Sequence, residues 1–352
     1  MSYFSTYFSN SLAPSNCQKF FRAEGVETAR SYFKITAGGE YNYSFLFANS
    51  IASTFNDGSE SFANYVCADW EIISLKVAIC KESFAGLQFS TVTFDGKESK
   101  AVHAGEIFHT DPVCLHANAG ERICLEIVYH GEEIPYIHET LLYGEKLGKD
   151  GFEECIYIPR PIMIGCDRAV KEKIVFIGDS ITEGIGTPLE SYAGYAAVAA
   201  DIYGTDYAFW NIGLGYGRGA DAATGGLWHY EAKQGDFVFI CFGVNDILRG
   251  FTAYEIKKNL STVVERLQKE GCRVCIQTVP PFDMEGEKRE IWNEVNRFIK
   301  EELSQKADFF FDNRPILCDK APNDNRAVYG GHPDTEGCRK WGDALARAIP
   351  LA

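Results

Sequence analysis

The heptapeptide Gly178-Asp179-Ser180-Ile181-Thr182-Glu183-Gly184 follows directly on the apolar run Ile174-Val175-Phe176-Ile177. A strand that hands a serine to a tight turn at the start of a helix is a place where a nucleophile can be built. Ser180 and Glu183 also have the spacing of an S-x-x-E capping box, which ties down the first helical N–H groups and leaves the positive end of the helix dipole beside the hydroxyl. An oxyanion is stabilised in such a position. The plainer reading is an N-capped helix after a buried strand, because short motifs also match by chance.

Two further pieces follow in order along the chain. Gly213 lies in Asn211-Ile212-Gly213-Leu214-Gly215 after the strand-like Tyr207-Ala208-Phe209-Trp210, and Asn245 lies in Gly243-Val244-Asn245-Asp246 after the strand-like 237–242. Near the C-terminus, His332 precedes Pro333 and a helical stretch from Glu336 to Ala348. Ser, Gly, Asn and His in this order resemble the SGNH/GDSL hydrolases over roughly residues 172–352.

The resemblance implies a role for each of these residues. Ser180 is the expected nucleophile toward an ester carbonyl. The Ser180 N–H, the Gly213 N–H and the Asn245 side-chain amide form the implied oxyanion hole. Fixed donors aimed at a developing oxyanion are commonly the largest catalytic contribution. His332 is the implied base, since an imidazole with an unperturbed pKa of ~6.5 exchanges protons near neutrality. The family usually carries an Asp three residues before the His, and Tyr329 stands there. Either a backbone carbonyl orients His332 in a Ser-His dyad, or Asp324 or Asp334 completes a triad, with Asp334 better placed to cap the following helix. Candidate substrate contacts are Asp179, Tyr216 and Trp228. Trp210 reads as core, and His138 and Tyr136 are weaker candidates from the first half.

The elements that must position these groups divide at about residue 170. In the first part, 31–35, 41–47, 72–79 and 123–128 cluster β-formers between Gly, Asn and Asp turns, the pattern of an all-β, jelly-roll-like sandwich. Pro159-Arg160-Pro161 and the charged residues up to Lys173 read as a connector. From 171 to 352, strands at 174–177, 206–211, 237–242, 273–279 and 308–311 alternate with helices near 190–203, 219–232, 254–270, 287–304 and 336–348. This predicts a flavodoxin-like parallel α/β sheet, with ligands bound beyond the carboxyl ends of its strands. The whole chain resembles, more distantly, hydrolases with an N-terminal β-sandwich ahead of the catalytic domain, including carbohydrate O-acetylesterases. The β domain is then expected to form a wall of the cleft, with glycan binding as the other possibility.

Composition limits the partners. A net charge of −15 argues against nucleic acid and anionic membranes, both of which call for a basic patch. No stretch reaches the ~20 apolar residues of a membrane span, and the first residues lack a basic n-region and an apolar segment. A cytoplasmic location is expected, or an extracellular one if a leader has been trimmed. The 12 cysteines are scattered, which favours free thiols over a disulfide frame. Cys272-Arg273-Val274-Cys275 has no second pair at zinc spacing, so no metal and no cofactor are expected. The expected activity is hydrolysis of a short acyl ester, chiefly O-acetyl on carbohydrate. The alternatives are a lysophospholipase or thioesterase, and a glycan-binding protein without turnover.

Overall fold

The computed structural model describes residues 2–14, 16–52, 63–81, 87–319 and 325–352. The first part is built on two large antiparallel sheets, with two short two-stranded ones beside them among the described residues. Strands β1 (Glu27–Lys34), β3 (Trp70–Cys80) and β4 (Arg122–Gly131) pair side by side in one sheet, with β4 central between β1 and β3. Strand β2 (Gly39–Ala48) pairs with β5 (Met163–Cys166) in the other. Phe33, Ile72, Leu75, Ile123 and Leu125 from one sheet share a core with Tyr43, Phe45, Phe47 and Ile164 from the other. The inward faces meet as a β-sandwich, as the strand pattern predicts.

Between Cys166 and Lys173 the chain leaves the antiparallel sheet and enters a parallel one. Strands β6 (Lys173–Gly178), β7 (Ala208–Asn211), β8 (Phe237–Cys241), β9 (Arg273–Gln277) and β10 (Phe309–Phe311) are arranged in the order β7-β6-β8-β9-β10. All neighbouring pairs are parallel. This is the flavodoxin-like 2-1-3-4-5 order, whose switch point lies beside its first strand. Residues in β8 are buried without exception, as a strand covered on both faces requires.

The helices follow the predicted alternation with two departures. The helix expected near 190 starts later, as α2 (Tyr195–Tyr203), because Glu190 and Tyr192 adopt left-handed φ values of 59° and 51° that no α-helix accommodates. The segment expected as one helix over 219–232 is two, α3 (Gly219–Thr224) and α4 (Gly226–Ala232). The Gly225-Gly226 pair between them has positive φ at both residues. A four-residue helix, α1 (Ser180–Glu183), follows β6, and α5 (Val244–Leu248) follows β8. The long amphipathic helices α6 (Ala253–Lys269), α7 (Gly286–Glu301) and α8 (Thr335–Ala348) turn apolar stripes inward.

Helix α8 matters most for the site because His332 lies just before it. Its Trp341 is fully buried, stacks on Tyr195 of α2 with ring centroids 3.9 Å apart, and donates from Nε1 to Gln277 Oε1 at 3.0 Å. Replacing Trp341 with Ala is expected to destabilise the fold by about 3–5 kcal/mol, measured by denaturant unfolding, because it opens a large cavity and orphans a buried amide oxygen.

Candidate active site

Strand β6 ends at Gly178, where a Cβ would run into the Thr182 side chain and the Cys241 carbonyl. Glycine there lets the chain turn at once into α1. The helix begins one residue earlier than an S-x-x-E box requires. Asp179, not Ser180, is its N-cap, and the Asp179 carboxylate accepts from the Ile181 N–H at 3.0 Å. Glu183 does not complete a box, for its buried carboxylate oxygens meet no donor among the described residues within hydrogen-bond distance. The Ser180 hydroxyl is not spent on capping.

Ser180 Oγ lies 2.8 Å from His332 Nε2, across 152 residues of sequence. The serine is 7% exposed, so it sits on the floor of a cleft rather than on an open surface. Burial lowers the pKa of His332, which favours the neutral imidazole. The ring meets Phe282 edge to face at 5.5 Å. Among the described residues no hydrogen bond reaches Nδ1. Asp334 caps α8 through Gly337 N–H at 2.9 Å, Tyr329 packs against Gly337 of the same helix, and Asp324 lies outside the described residues. Gly186, with φ of 104°, lets the loop after α1 press against the His332 and Pro333 carbonyls.

Asn245 opens α5 after β8 and joins Ser180 and His332 in lining one cleft of about 310 Å³. One of its amide N–H bonds goes to the Gly217 carbonyl at 3.0 Å, which fixes the side chain. An amide carries two such donors. The neighbouring Asp246 is buried and accepts from the Gly219 and Ala220 N–H groups at 2.8 and 3.0 Å, tying α3 to α5. Burial lifts the Asp246 carboxyl to about 6, and burial together with Asp246 lifts Asp179 to about 7.

Gly213 is not where the sequence expectation puts it. Its N–H donates to Asn211 Oδ1 at 2.9 Å, and a Cβ on it would collide with the backbone of Thr182 and Glu183. The glycine allows the loop after β7 to pack against α1, rather than allowing substrate to approach. Asn211 completes that tether by donating from Nδ2 to the Thr182 carbonyl at 2.9 Å. Tyr216, three residues on and with a left-handed φ of 59°, is the part of this loop that lines the cleft.

Two other expected contacts are structural. Trp228 is fully buried, donates to the Ile212 carbonyl at 2.8 Å and meets Phe242 edge to face. Asp179 is 2% exposed and occupied as a helix cap. Trp210 is core and donates to the Ile162 carbonyl. His138 and Tyr136 do not line the cleft, but their neighbour Glu139 does, together with Val244, Leu248, Arg249 and Phe282. Periodicity carries no signal for these five. They are ordinary residues of loops and helix ends that the fold gathers.

Among the described residues no group of three or more His, Cys, Asp or Glu side chains is arranged to hold a metal ion. No helix of the described residues is long and apolar enough to cross a membrane.

Residues 176–340 match the GDSL-like Lipase/Acylhydrolase family. No curated protein matches the sequence. Similar solved structures include an acetyl xylan esterase, 22% identical, with 51% of this chain and 100% of that one covered and a TM-score of 0.41. A carbohydrate acetylesterase from Sinorhizobium meliloti is 19% identical, with coverage of 50% and 97% and a TM-score of 0.41. A psychrotrophic esterase from Pseudoalteromonas sp. is 19% identical, with coverage of 50% and 96% and a TM-score of 0.40. Residues 176–340, just under half of the chain, are thus similar to the GDSL-like lipase/acylhydrolase family.

Proposed function

We propose that the protein removes short acyl groups, chiefly acetyl, from carbohydrate hydroxyls through a Ser180–His332 dyad, with residues 1–170 serving as a β domain that walls the cleft. The observation that carries this reading is the 2.8 Å contact between Ser180 Oγ and His332 Nε2 at the base of the cleft. Ser180 Oγ attacks the ester carbonyl carbon as its proton passes to His332 Nε2. The tetrahedral intermediate collapses, the C–O bond to the alcohol breaks, and the imidazolium returns the proton to the departing oxygen. Water, deprotonated by the same imidazole, then hydrolyses the acyl-serine.

The oxyanion meets the Ser180 N–H in the first turn of α1 and the second N–H of the Asn245 amide. The first N–H groups of a helix have no intrahelical acceptor and suit a negative charge. A cleft of about 310 Å³ lies at the small end of ligand sites, which favours a short acyl group over a fatty chain. Acetate release from acetylated oligosaccharides, alongside p-nitrophenyl esters of increasing chain length, tests the assignment. Preference for long acyl chains with no acetate release would replace it with a lipid or thioester substrate.

Ser180→Ala is expected to abolish turnover while the protein stays folded by circular dichroism. Asn245→Ala should lower kcat by roughly 100- to 1000-fold with a much smaller change in KM, since its donor acts mainly on the transition state; equal effects on both constants would count against that role. The pH dependence follows from burial of His332. Its folded pKa lies below the usual ~6.5, so the base stays neutral and active at and above that pH, and activity is lost only as the pH falls through the depressed value. The rising limb of kcat/KM should therefore have its midpoint below ~6.5. A midpoint at or above 7 would reveal a carboxylate partner.

A further inference from the structure

Among the described residues, the β half of the chain sends one side chain, Glu139, into the cleft that holds Ser180, and its surroundings hold it there. Glu139 follows β4 by eight residues, is half-buried, and lines the cleft with Ser180, Asn245 and His332. Its backbone is pinned. Both the His138 and Glu139 N–H groups donate to Gln18 Oε1, each at 2.8 Å, and Gln18 is 1% exposed. The carboxylate then rests against Gly215, where any Cβ would overlap Glu139 Oε2 and Gln18 Nε2. Glycine at 215 is what makes room for it.

Although its backbone is this constrained, the Glu139 carboxylate accepts no hydrogen bond from any described residue. A structural carboxylate held half-buried ordinarily finds donors, because removal from water costs free energy unless they are supplied. Burial accordingly raises the Glu139 pKa. Arg249, at the end of α5, lines the same cleft, and the Tyr216 hydroxyl lies within electrostatic reach of both Glu139 and Arg249. Glu139, Tyr216 and Arg249 give the cleft that holds the nucleophile its polar lining, and the acyl group and the alcohol group of an ester must divide the remaining volume between them.

From this geometry we infer that Glu139 is a specificity-determining residue that accepts hydrogen bonds from hydroxyl groups on the alcohol side of the ester. The inference deepens the esterase reading above and rests on it. A carboxylate offers two acceptor oxygens and no donor, which matches a pair of neighbouring hydroxyls and disfavours another anion. Hydroxylated esters, of sugars or of other polyols, are selected. Plain alkyl esters leave the carboxylate desolvated and unpaired. Esters of uronic acids are rejected when their carboxylate falls against that of Glu139.

The test compares wild type, Glu139→Gln and Glu139→Ala on two pairs of acetate esters. One pair is glycerol monoacetate against ethyl acetate, and the other is an acetylated xylo-oligosaccharide against p-nitrophenyl acetate. In Glu139→Ala the ratio of kcat/KM for the hydroxylated member over the plain member should fall at least tenfold, chiefly through KM. Glu139→Gln should lie between, because its amide oxygen still accepts one hydroxyl. It should also narrow the wild-type preference for a neutral acetylated hexose over the matching acetylated uronate, a gain that structural damage cannot imitate.

Ratios unchanged in Glu139→Ala, or parallel losses on both members of each pair, would overturn the inference. Should wild type cleave glycerol monoacetate but no sugar ester, the carbohydrate reading falls while the role of Glu139 is still decided by the first pair. If no ester turns over, binding of the acetylated oligosaccharide to Ser180→Ala and to Ser180→Ala/Glu139→Ala by calorimetry decides it. Tenfold weaker binding in the double variant supports the inference, and equal binding ends it.

Discussion

A proton can pass between Ser180 and His332 only if two groups from opposite ends of a long stretch of chain are held at 2.8 Å, and much of the C-terminal architecture serves that distance. The serine is fixed by the central strand β6, its immediate turn at Gly178 and the Asp179 cap. The histidine is fixed from the other side. Gly342 of α8 packs against the Tyr195 carbonyl and Val198 of α2, Trp341 stacks on Tyr195, and Gly186 meets the carbonyls of residues 332 and 333. Because α2 and α1 both follow β6, the serine and the helix that anchors the histidine share one scaffold. Errors of position are shared rather than added.

The ground beneath the site is unusually acidic for a protein interior. Asp179, Glu183 and Asp246 are all buried, and burial raises the pKa of each. Two of them are satisfied by backbone N–H groups at helix starts, which is how a buried carboxylate is stabilised without a cation. The Glu183 carboxylate oxygens have no hydrogen-bond partner among the described residues, and its pKa is raised by burial first and then by Glu139, against the lowering pull of the Gly215 N–H.

The sequence displayed the parts of this site that obey local rules and concealed those that do not. Continuous apolar runs mark the strands of the parallel sheet, because strands buried on both faces cannot avoid being hydrophobic. The turn at Ser180 was visible for the same reason, since the glycine and the polar residues stand directly behind such a run. The helix cap was misplaced by one residue, because Asp179 and Ser180 are both good caps and only the tertiary contact to His332 decides between them. Gly213 misled in a similar way. A glycine after a strand signals a close approach, yet the sequence does not say whether a ligand or another backbone does the approaching. Here it is α1. Trp228 reads in the sequence as a candidate substrate contact because aromatic residues near a site serve either purpose, and only burial tells them apart.

Glu139 could not have been found by any periodicity, and the reason bears on how the two halves work together. Phe4, Leu12, Leu46, Ile162 and Met163 of the first part belong to the same apolar core as β6, β8 and α2. Asn16 donates to the buried Glu231 of α4, and the Tyr192 hydroxyl accepts from the Lys34 N–H of β1. Contacts of this kind, apolar and hydrogen-bonded at once, resemble a domain interior more than a docking surface between independent modules. Removing the β half would uncover that core and release Gln18, and with it the pinned backbone that aims Glu139 at the cleft. A wall built this way holds its carboxylate as firmly as the scaffold holds the serine, and selectivity for the alcohol group of the ester then depends on the same packing that keeps the two halves together.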